Sequence, residues 1–277
     1  MNIRLQHPVS INKWVFKSSK IMNQNLVFDI GMHMGQDTAF YLKNGYHVVA
    51  VEANPLLVKE NELKFRHAIK DKRLVILNRG ISDKEGSMIF YVNKRLSEWS
   101  SFDKAIGTRN NTPYEEIEVS CLTTEQLFQE YGIPFYLKID IEGHDHFCID
   151  DIDPMGDKPV YVSCEATDIK LLELLKDKGY TRFKLIGQGN NFKPIDLKQE
   201  SQWHFPKYRV ITNGIKMRVQ DILPFRYKYS SSGPFGEDSK GTWYGYEEIK
   251  QRYLAYYQFD KKQPLNTVSW FDFHAGL

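Results

Sequence analysis

The chain has 277 residues, 42% of them hydrophobic, and its 37 Lys and Arg nearly balance its 35 Asp and Glu. This apolar content suffices for a packed core, and the length fits one large domain or one domain with an appendage. The small net charge leaves no overall electrostatic footprint for nucleic acid, and no apolar run reaches the ~18 residues of a membrane span. Three scattered cysteines without a CxxC pair argue against a disulfide framework and a thiolate zinc site.

The first predicted elements alternate between strand and helix. Short apolar runs predict strands at 26–30, 47–51 and 74–77. Helical patterns lie between them, at 36–44 and from Pro55 to about Ile69. Alternation at this spacing predicts βαβ units and a parallel sheet with helices on both faces.

The alternation then pauses and resumes. A turn at 83–86 leads into a predicted antiparallel strand at 88–92, and a long polar loop at 93–116 is expected to be functional or mobile. The later elements are predicted as helices at 123–131, 169–178 and 247–258 and strands at 135–141, 159–163 and 183–186.

We divide the chain into three parts. Residues 1–24 are basic and lack the apolar core of a secretory signal, so they are interpreted as the N-terminal arm of a cytoplasmic protein. Residues 25–222 form the predicted α/β domain. Residues 223–277 form an extension expected to pack on the cleft or on a partner subunit of a homodimer. Its stretch 235–273 holds 11 aromatics, which suit sugar rings as well as a core, so this extension is expected to help hold the substrate.

The turn after the first strand has the pattern of a ligand-binding loop. Gly31 and Gly35 stand between strand and helix, where glycine lets backbone approach a ligand and the helix start offers free N–H groups. Glu52 ends the next strand, 21 residues after Gly31, where an acid hydrogen-bonds a ribose in nucleotide-binding folds. Together these predict a site for an adenosine-bearing cofactor. The alternative is a helix-packing glycine pair beside an ordinary acid.

The third strand runs into a second candidate wall of this site. Ligands lie along the carboxyl ends of parallel strands, so the turn after 74–77 is placed to contact an adenine ring. Ile81 is expected to stack on the ring, and Ser82 or Asp83 to accept a hydrogen bond from its amino group. The alternative is a plain turn into the hairpin.

The segment 136–143 breaks the rule for a buried strand. A central parallel strand should be apolar on both faces, yet Lys138, Asp140 and Glu142 alternate along it and therefore share one side. Such a local violation indicates function. Asp140 is the first candidate for a catalytic or substrate-orienting group. The alternative is a structural ion pair between Lys138 and Asp140.

Taken together, three motifs resemble the FkbM family of S-adenosylmethionine-dependent methyltransferases. They are Val27–Gly31 with Gly35, Val51–Pro55, and Leu137–Gly143, and the similarity covers about residues 25–166. The resemblance implies a Rossmann-like class I methyltransferase fold, here with an inserted hairpin and an aromatic-rich C-terminal extension. It also implies S-adenosylmethionine as cofactor and methyl transfer to a hydroxyl of a sugar, polyketide or other natural product.

The resemblance also implies roles for single residues. It places the methionine end of the cofactor at Asp29, Gly31 and Gly35, the ribose at Glu52, and adenine at Ser82 and Asp83. Ala53 follows Glu52 in the second motif, and His33 occupies a position where many members have small residues. We include both among the candidate cofactor contacts.

Methyl transfer from a sulfonium requires alignment of acceptor, methyl and sulfur, and a hydroxyl acceptor benefits from a nearby base. The candidate bases are the polar groups at the ends of two adjacent strands, namely Asp140, Glu142, His144 and Glu165. His33 is a further candidate at the methyl end. Residues 140–146 are rich in metal-ligand types, but an acidic helix start explains them and no supporting ligand spacing recurs, so we predict no metal.

The acceptor is expected to contact the loop 93–116. Its candidate contacts are Trp99, Ser100, Ser101 and Phe102. The predicted function is O-methyl transfer to a small polar acceptor, a sugar, glycan or natural product. Two alternatives are a nucleotide-sugar glycosyltransferase that uses Asp151 and Asp153, and a catalytically silent protein that keeps the cofactor fold.

Overall fold

The computed structural model describes residues 23–188, 192–194, 231–260 and 271–277. Its strands are β1 Asn23–Ile30, β2 His47–Glu52, β3 Leu74–Asn78, β4 Gly80–Ile81, β5 Gly86–Asn93, β6 Tyr114–Leu122, β7 Pro134–Ile139, β8 Tyr161–Glu165, β9 Arg182–Gly187, β10 Lys193–Pro194 and β11 Phe271–Gly276. Its α-helices are α1 Gln36–Lys43, α2 Pro55–Lys64, α3 Arg66–Lys70, α4 Lys104–Gly107, α5 Thr124–Tyr131, α6 Asp145–Asp150, α7 Ile169–Asp177 and α8 Tyr246–Asp260.

Eight strands form the central sheet, in the order β10-β9-β11-β8-β7-β1-β2-β3. The five strands from β8 to β3 run parallel, whereas β11 is antiparallel to both of its neighbours. The chain runs outward from β1 to β3 and then returns to β7 on the other side of β1. This reversal opens a crevice at the carboxyl ends of β1 and β7, where ligands bind in open α/β sheets.

Alternate residues of the central strands enter two hydrophobic cores. In β1, Phe28 packs in a core with residues of α5, α6, α7 and α8, whereas Val27 packs in a core with residues of α1 and α3. A sheet covered by helices on both faces explains why its parallel strands are continuous apolar runs. The predicted Rossmann-like class I fold is confirmed.

A hairpin, β5 and β6, is inserted after β3 and pairs with β4 in a separate three-stranded sheet. The predicted loop 93–116 is more structured than expected, because it contains α4, two short 3-10 helices and the start of β6. The predicted helix from Pro55 to Ile69 is divided into α2 and α3 at Phe65. Thr123 caps α5 with a capping box, so the helix begins one residue later than the predicted 123–131.

The end of the chain belongs to the central sheet, which the sequence did not predict. Strand β11 fills the space between β8 and β9. Phe235 stacks on Tyr136 with ring centroids 3.8 Å apart, and Tyr253 and Phe273 are buried in the core. The described aromatics of this extension therefore stabilise the domain, and none of them lines the cleft described below. The proposed boundary at 24/25 falls inside β1, which begins at Asn23, whereas the boundary at 222/223 lies outside the described residues.

Candidate active site

A cavity of about 360 Å³ lies at the carboxyl ends of β1, β2, β7 and β8. The segment from Leu96 to Trp99, with Ser100 and Phe102, forms its opposite wall. Eleven predicted site residues line the cavity: Gly31, His33, Glu52, Ala53, Ile81, Trp99, Ser100, Phe102, Asp140, Glu142 and Glu165. Residues predicted from distant motifs therefore share one space.

The turn at Gly31 brings the ends of β1 and β7 unusually close. Gly31 has φ +82°, and a Cβ at this position would lie 1.8 Å from the carbonyl oxygen of Asp140. Its N–H donates to the carbonyl of Val51 at 3.0 Å, which also ties the turn to β2. Only glycine satisfies both the left-handed conformation and this close approach.

Glu52 is held in place by backbone N–H groups. Its Oε2 accepts from the N–H of His33 at 2.7 Å, and its Oε1 accepts from the N–H of Asn54 at 2.8 Å. Burial raises the pKa of this carboxyl group, against the lowering effect of the two hydrogen bonds. Each carboxylate oxygen has further acceptor capacity, so Glu52 can bind hydroxyl groups in the cavity without changing its position.

Lys138 forms the charged floor of the cavity. Its Nζ donates to the carbonyl of Gly31 at 2.8 Å and lies 3.1 Å from Oδ1 of Asp29, and its side chain is only 3% exposed. Asp140 and Asp37 lie farther from the same ammonium, at 3.7 and 3.9 Å. The predicted ion pair between Lys138 and Asp140 is thus present, as the weaker part of a network that crosslinks β1, α1 and β7.

Asp140 points from this floor into the cavity. Its side chain is 36% exposed, which leaves its carboxylate available to a ligand despite the contact with Lys138. Glu142 lies on the same wall and pairs with Arg109 at 3.2 Å. Burial raises the pKa of Glu142 to about 7, although Arg109 opposes this shift. The guanidinium of Arg109 in turn stacks 4.5 Å from the ring centre of Trp99.

His33 lies between the two halves of the cavity. Its Nε2 is 2.8 Å from Oγ of Ser97, on the opposite wall. Burial lowers the pKa of His33, whereas the nearby carboxylates of Glu98 and Asp140 raise it. Burial has the larger effect, so the pKa of His33 is lowered overall.

Six predicted site residues lie outside the cavity wall, namely Asp29, Gly35, Ser82, Asp83, Ser101 and His144. Three of them support the cavity from behind. Asp29 is buried and accepts from Thr38 at 2.6 Å, besides pairing with Lys138. Gly35 faces Phe65 and Asn61, because α1 starts there in a left-handed turn. Ser101 donates to the carbonyl of Glu142 at 2.6 Å.

The other three residues, Ser82, Asp83 and His144, do not line the cavity, in contrast to their predicted roles as adenine contacts and base. The chain after β4 stays beside β6, because the N–H of Ser82 donates to the carbonyl of Leu122. The hydroxyl of Ser82 donates to the carbonyl of Lys84 instead of facing the cavity. Asp83 is exposed on that turn. His144 stacks on the outer side of Phe102, with ring centroids 5.3 Å apart, and its Nδ1 lies 3.4 Å from the carbonyl of Ile81.

Sequence reasoning missed several lining residues. They include Gln36, Asp37, Asn54, Leu57, Arg79, Glu98 and Gln188. Gln188 directly follows β9, so the rule that sites form at carboxyl ends of strands could have found it. Glu98 precedes the predicted Trp99. Leu57 and Arg79 carried no local signal, because their approach to the cavity depends on how α2 and β3 pack.

The structure does not support the glycosyltransferase alternative. Asp151 accepts hydrogen bonds from the N–H groups of Thr124 and Glu125 at the start of α5, and Asp153 accepts from the N–H of Met155. Both carboxylates therefore stabilise local backbone away from the cavity. Within the described residues, no group of His, Cys, Asp and Glu side chains is arranged to hold a metal ion, and no helix is long and apolar enough to span a membrane.

The sequence of the chain matches a known family of methyltransferases. The sequence model of the methyltransferase FkbM domain matches residues 29–182, more than half of the chain. A search of curated proteins gave no match. Among solved structures, a methyltransferase FkbM from Methylobacillus flagellatus KT has 15% identity and a TM-score of 0.42, over 62% of this chain and 42% of that chain. The present chain thus spans less than half the length of that protein.

Two further solved structures are similar over 92% of this chain. Phosphoethanolamine N-methyltransferase 2 from Haemonchus contortus, in complex with S-adenosyl-L-methionine, has 10% identity and a TM-score of 0.41 over 49% of its length. A SAM-dependent methyltransferase from Geobacter sulfurreducens, in complex with S-adenosyl-L-homocysteine, has 8% identity and a TM-score of 0.35 over 86% of its length. On the extent of the family match, the chain belongs to the FkbM family of S-adenosylmethionine-dependent methyltransferases.

Proposed function

We propose that this chain transfers the methyl group of S-adenosylmethionine to a hydroxyl of a small polar acceptor, a sugar, glycan or natural product. The observation that carries the proposal is the position of Asp140. Its partly exposed carboxylate shares one cavity with Glu52 and Gly31, the two best candidates for cofactor binding. A base beside the methyl end is what a hydroxyl acceptor requires.

The residues of the cavity fit the proposed cofactor. A cavity of about 360 Å³ is within the usual range for small ligands. Glu52 has the acceptor capacity for ribose hydroxyls, and Ile81 and Phe102 provide apolar surface for adenine. Gly80 gives that apolar wall its shape, since a Cβ there would lie 2.3 Å from the Phe102 ring. When bound, S-adenosylmethionine supplies an electrophilic methyl group.

The protein then has to hold the acceptor hydroxyl in line with that methyl group and receive its proton. Asp140 would accept a hydrogen bond from the hydroxyl and take its proton as the methyl carbon bonds to that oxygen and its bond to sulfur breaks. The ammonium of Lys138, 3.7 Å from Oδ2 of Asp140, helps to orient this carboxylate. His33 is a second proton acceptor within the same cavity. Trp99 and Phe102 provide apolar surface on the wall of the same cavity.

The cofactor part of the proposal is tested by calorimetry with S-adenosylhomocysteine. Glu52→Ala is expected to weaken binding about 10- to 100-fold, because it removes charge-assisted hydrogen bonds. Glu60→Ala, which removes an exposed carboxylate of α2, is the matched control and is expected to bind normally. Equal affinity of the Glu52 and Glu60 variants would contradict the assignment, and binding of nucleotide sugars alone would contradict the proposed function.

The chemical part is tested with Asp140→Asn and a panel of glycan and natural-product acceptors. This variant keeps the shape of the side chain and removes its basicity, so we expect normal S-adenosylhomocysteine binding and a loss of turnover of about 10²- to 10⁴-fold. Unchanged turnover would show that Asp140 is not the base. Cofactor binding without methyl transfer to any acceptor would instead favour a catalytically silent protein.

A further inference from the structure

Three carboxylates lie at adjacent strand ends, and two of them, Asp140 and Glu165, line the cavity. Asp272 in β11 is directly opposite Glu165 in β8, so both side chains lie on the same face of the sheet. Ile139 pairs with Cys164 in the parallel strands β7 and β8, which places the next residues, Asp140 and Glu165, level with each other. We call Asp140, Glu165 and Asp272 the acid row.

The acid row has few partners within the protein. Lys138 contacts Asp140 at 3.7 Å but lies closer to Asp29. Among the described residues, no cation lies within ion-pair distance of Glu165 or Asp272, and no side chain donates a hydrogen bond to Glu165. Arg109, which stacks on Trp99 of the cavity wall, is paired with Glu142, and Arg79 lines the cavity without an ion pair to the acid row.

Asp272 provides a second, independent observation. It is only 2% exposed, and Gln188, a residue of the cavity wall, donates to its Oδ1 at 2.7 Å. Its Oδ2 is buried and has no hydrogen-bond partner among the described residues. An unpaired buried carboxylate is costly, and a cation or a proton lowers that cost. Burial, reinforced by neighbouring carboxylates, raises the pKa of both Glu165 and Asp272.

A ligand cation would compensate this wall better than any neutral group. Glu98 and Glu142 also line the cavity, so its acceptor side presents acids from three separate segments of the chain. Hydroxyl groups donate hydrogen bonds to carboxylates but leave their charge unbalanced, whereas an ammonium donates three and balances it. Neighbouring strands are ~4.8 Å apart, so one small molecule can contact both Asp140 and Glu165.

We propose that the acceptor carries a protonated amine besides the hydroxyl that is methylated, and that Glu165 binds the ammonium next to Asp140. This inference rests on the proposed function and narrows its substrate class to amino sugars and similar aminated natural products. Asp272 pairs with Glu165 across the sheet and does not line the cavity, so it is a positioning residue that acts through Glu165.

The test compares matched acceptors that differ in charge. Glucosamine and galactosamine are paired with their N-acetyl derivatives, and formation of S-adenosylhomocysteine is measured for each. We expect kcat/KM to be about tenfold or more higher for the free amines, as charge-assisted hydrogen bonds require. Glu165→Gln is expected to remove this preference while S-adenosylhomocysteine still binds, and Glu60→Gln, on the exposed side of α2, is expected to keep it.

The outcomes separate this inference from the proposed function. Equal or faster turnover of the N-acetyl derivatives, or no turnover of either free amine, would overturn the inference. In those cases the proposed function is still supported if S-adenosylhomocysteine binds and a neutral hydroxyl acceptor is methylated. Tandem mass spectrometry of the product identifies the methylated atom: an N-methyl product would contradict both ammonium binding and hydroxyl transfer, because a protonated amine has no lone pair to attack the methyl group.

Discussion

Replacement of Lys138 by methionine should destabilise both the fold and the cofactor turn. Lys138 is 3% exposed, and its ammonium contacts the carboxylate of Asp29 and the carbonyl of Gly31. Methionine preserves most of the side-chain volume and removes the charge. The carboxylate of Asp29, with no exposed surface, would then be buried without a cation, and the carbonyl of Gly31 would lose its donor.

The size of the effect follows from the burial of the pair. Removal of one partner of a buried ion pair costs about 3–5 kcal/mol, because the other charge stays buried. For a domain of this size, each kcal/mol lowers Tm by about 2–4 °C, so Lys138→Met should lower Tm by roughly 6–20 °C. The double variant Lys138→Met with Asp29→Asn should recover part of the loss, since the orphaned charge is removed as well.

Thermal denaturation followed by circular dichroism measures this effect, and calorimetry with S-adenosylhomocysteine measures the accompanying loss of affinity. Lys94→Met is the control, because Lys94 forms an exposed ion pair with Glu115 and its side chain is 46% exposed. We expect the control to change stability by less than about 0.5 kcal/mol. A Lys138→Met protein as stable as the control would refute the role of Lys138 as the charged floor of the site.

Three further predictions concern separate parts of the molecule. Gly31→Ala should abolish S-adenosylhomocysteine binding and destabilise the protein more than the control Gly45→Ala. Gly45 also has a positive φ but open space around it, so its replacement should cost only about 1–2 kcal/mol. Equal losses of stability in the two variants would contradict the steric argument. Burial raises the pKa of Glu142 from 4.5 to about 7 in the folded protein. The Tm of the wild type should therefore fall relative to that of Glu142→Gln as pH rises from 4.5 to 7. A constant difference in Tm over this range would contradict the raised pKa. Phe235→Ala should cost about 3–5 kcal/mol in urea denaturation, because its ring stacks on Tyr136 at 3.8 Å; a loss below 1 kcal/mol would mean that this segment is not part of the core.

The sequence predicted the central strands well and missed β4, β6, β10 and β11. Residues 26–30 and 47–51 are continuous apolar runs because both faces of these strands are buried, and such runs are recognisable locally. Strand β6 was missed because Glu115, Glu116 and Glu118 are all exposed and interrupt its apolar pattern. Strand β11 was missed because it carries Asp272 and His274 in a fully buried environment, which no local pattern indicates.

The candidate site shows the same division. Alternate charges at 138, 140 and 142 predicted a functional strand from strand periodicity. In the structure β7 ends at Ile139, so Asp140 and Glu142 follow the strand in a turn, and all three residues line the cavity. Their separate roles could not be predicted. Lys138 is part of the floor because Asp29 and Asp37 approach it from β1 and α1, whereas Asp140 is left partly exposed to the cavity. These partners are distant in sequence, so their distances are properties of the packing.

Sequence by itself determined the α/β class, the glycine turn at Gly31 and the acid at Glu52, because each depends on short-range pattern and on a fixed spacing between strands. Tertiary structure alone decided which acidic residues lie next to one another. Asp272 reaches Glu165 only because β11 inserts antiparallel between β8 and β9. Strand order and register arise from long-range pairing and burial, so the charge of the acceptor side is a property of the fold and is not encoded in any single motif.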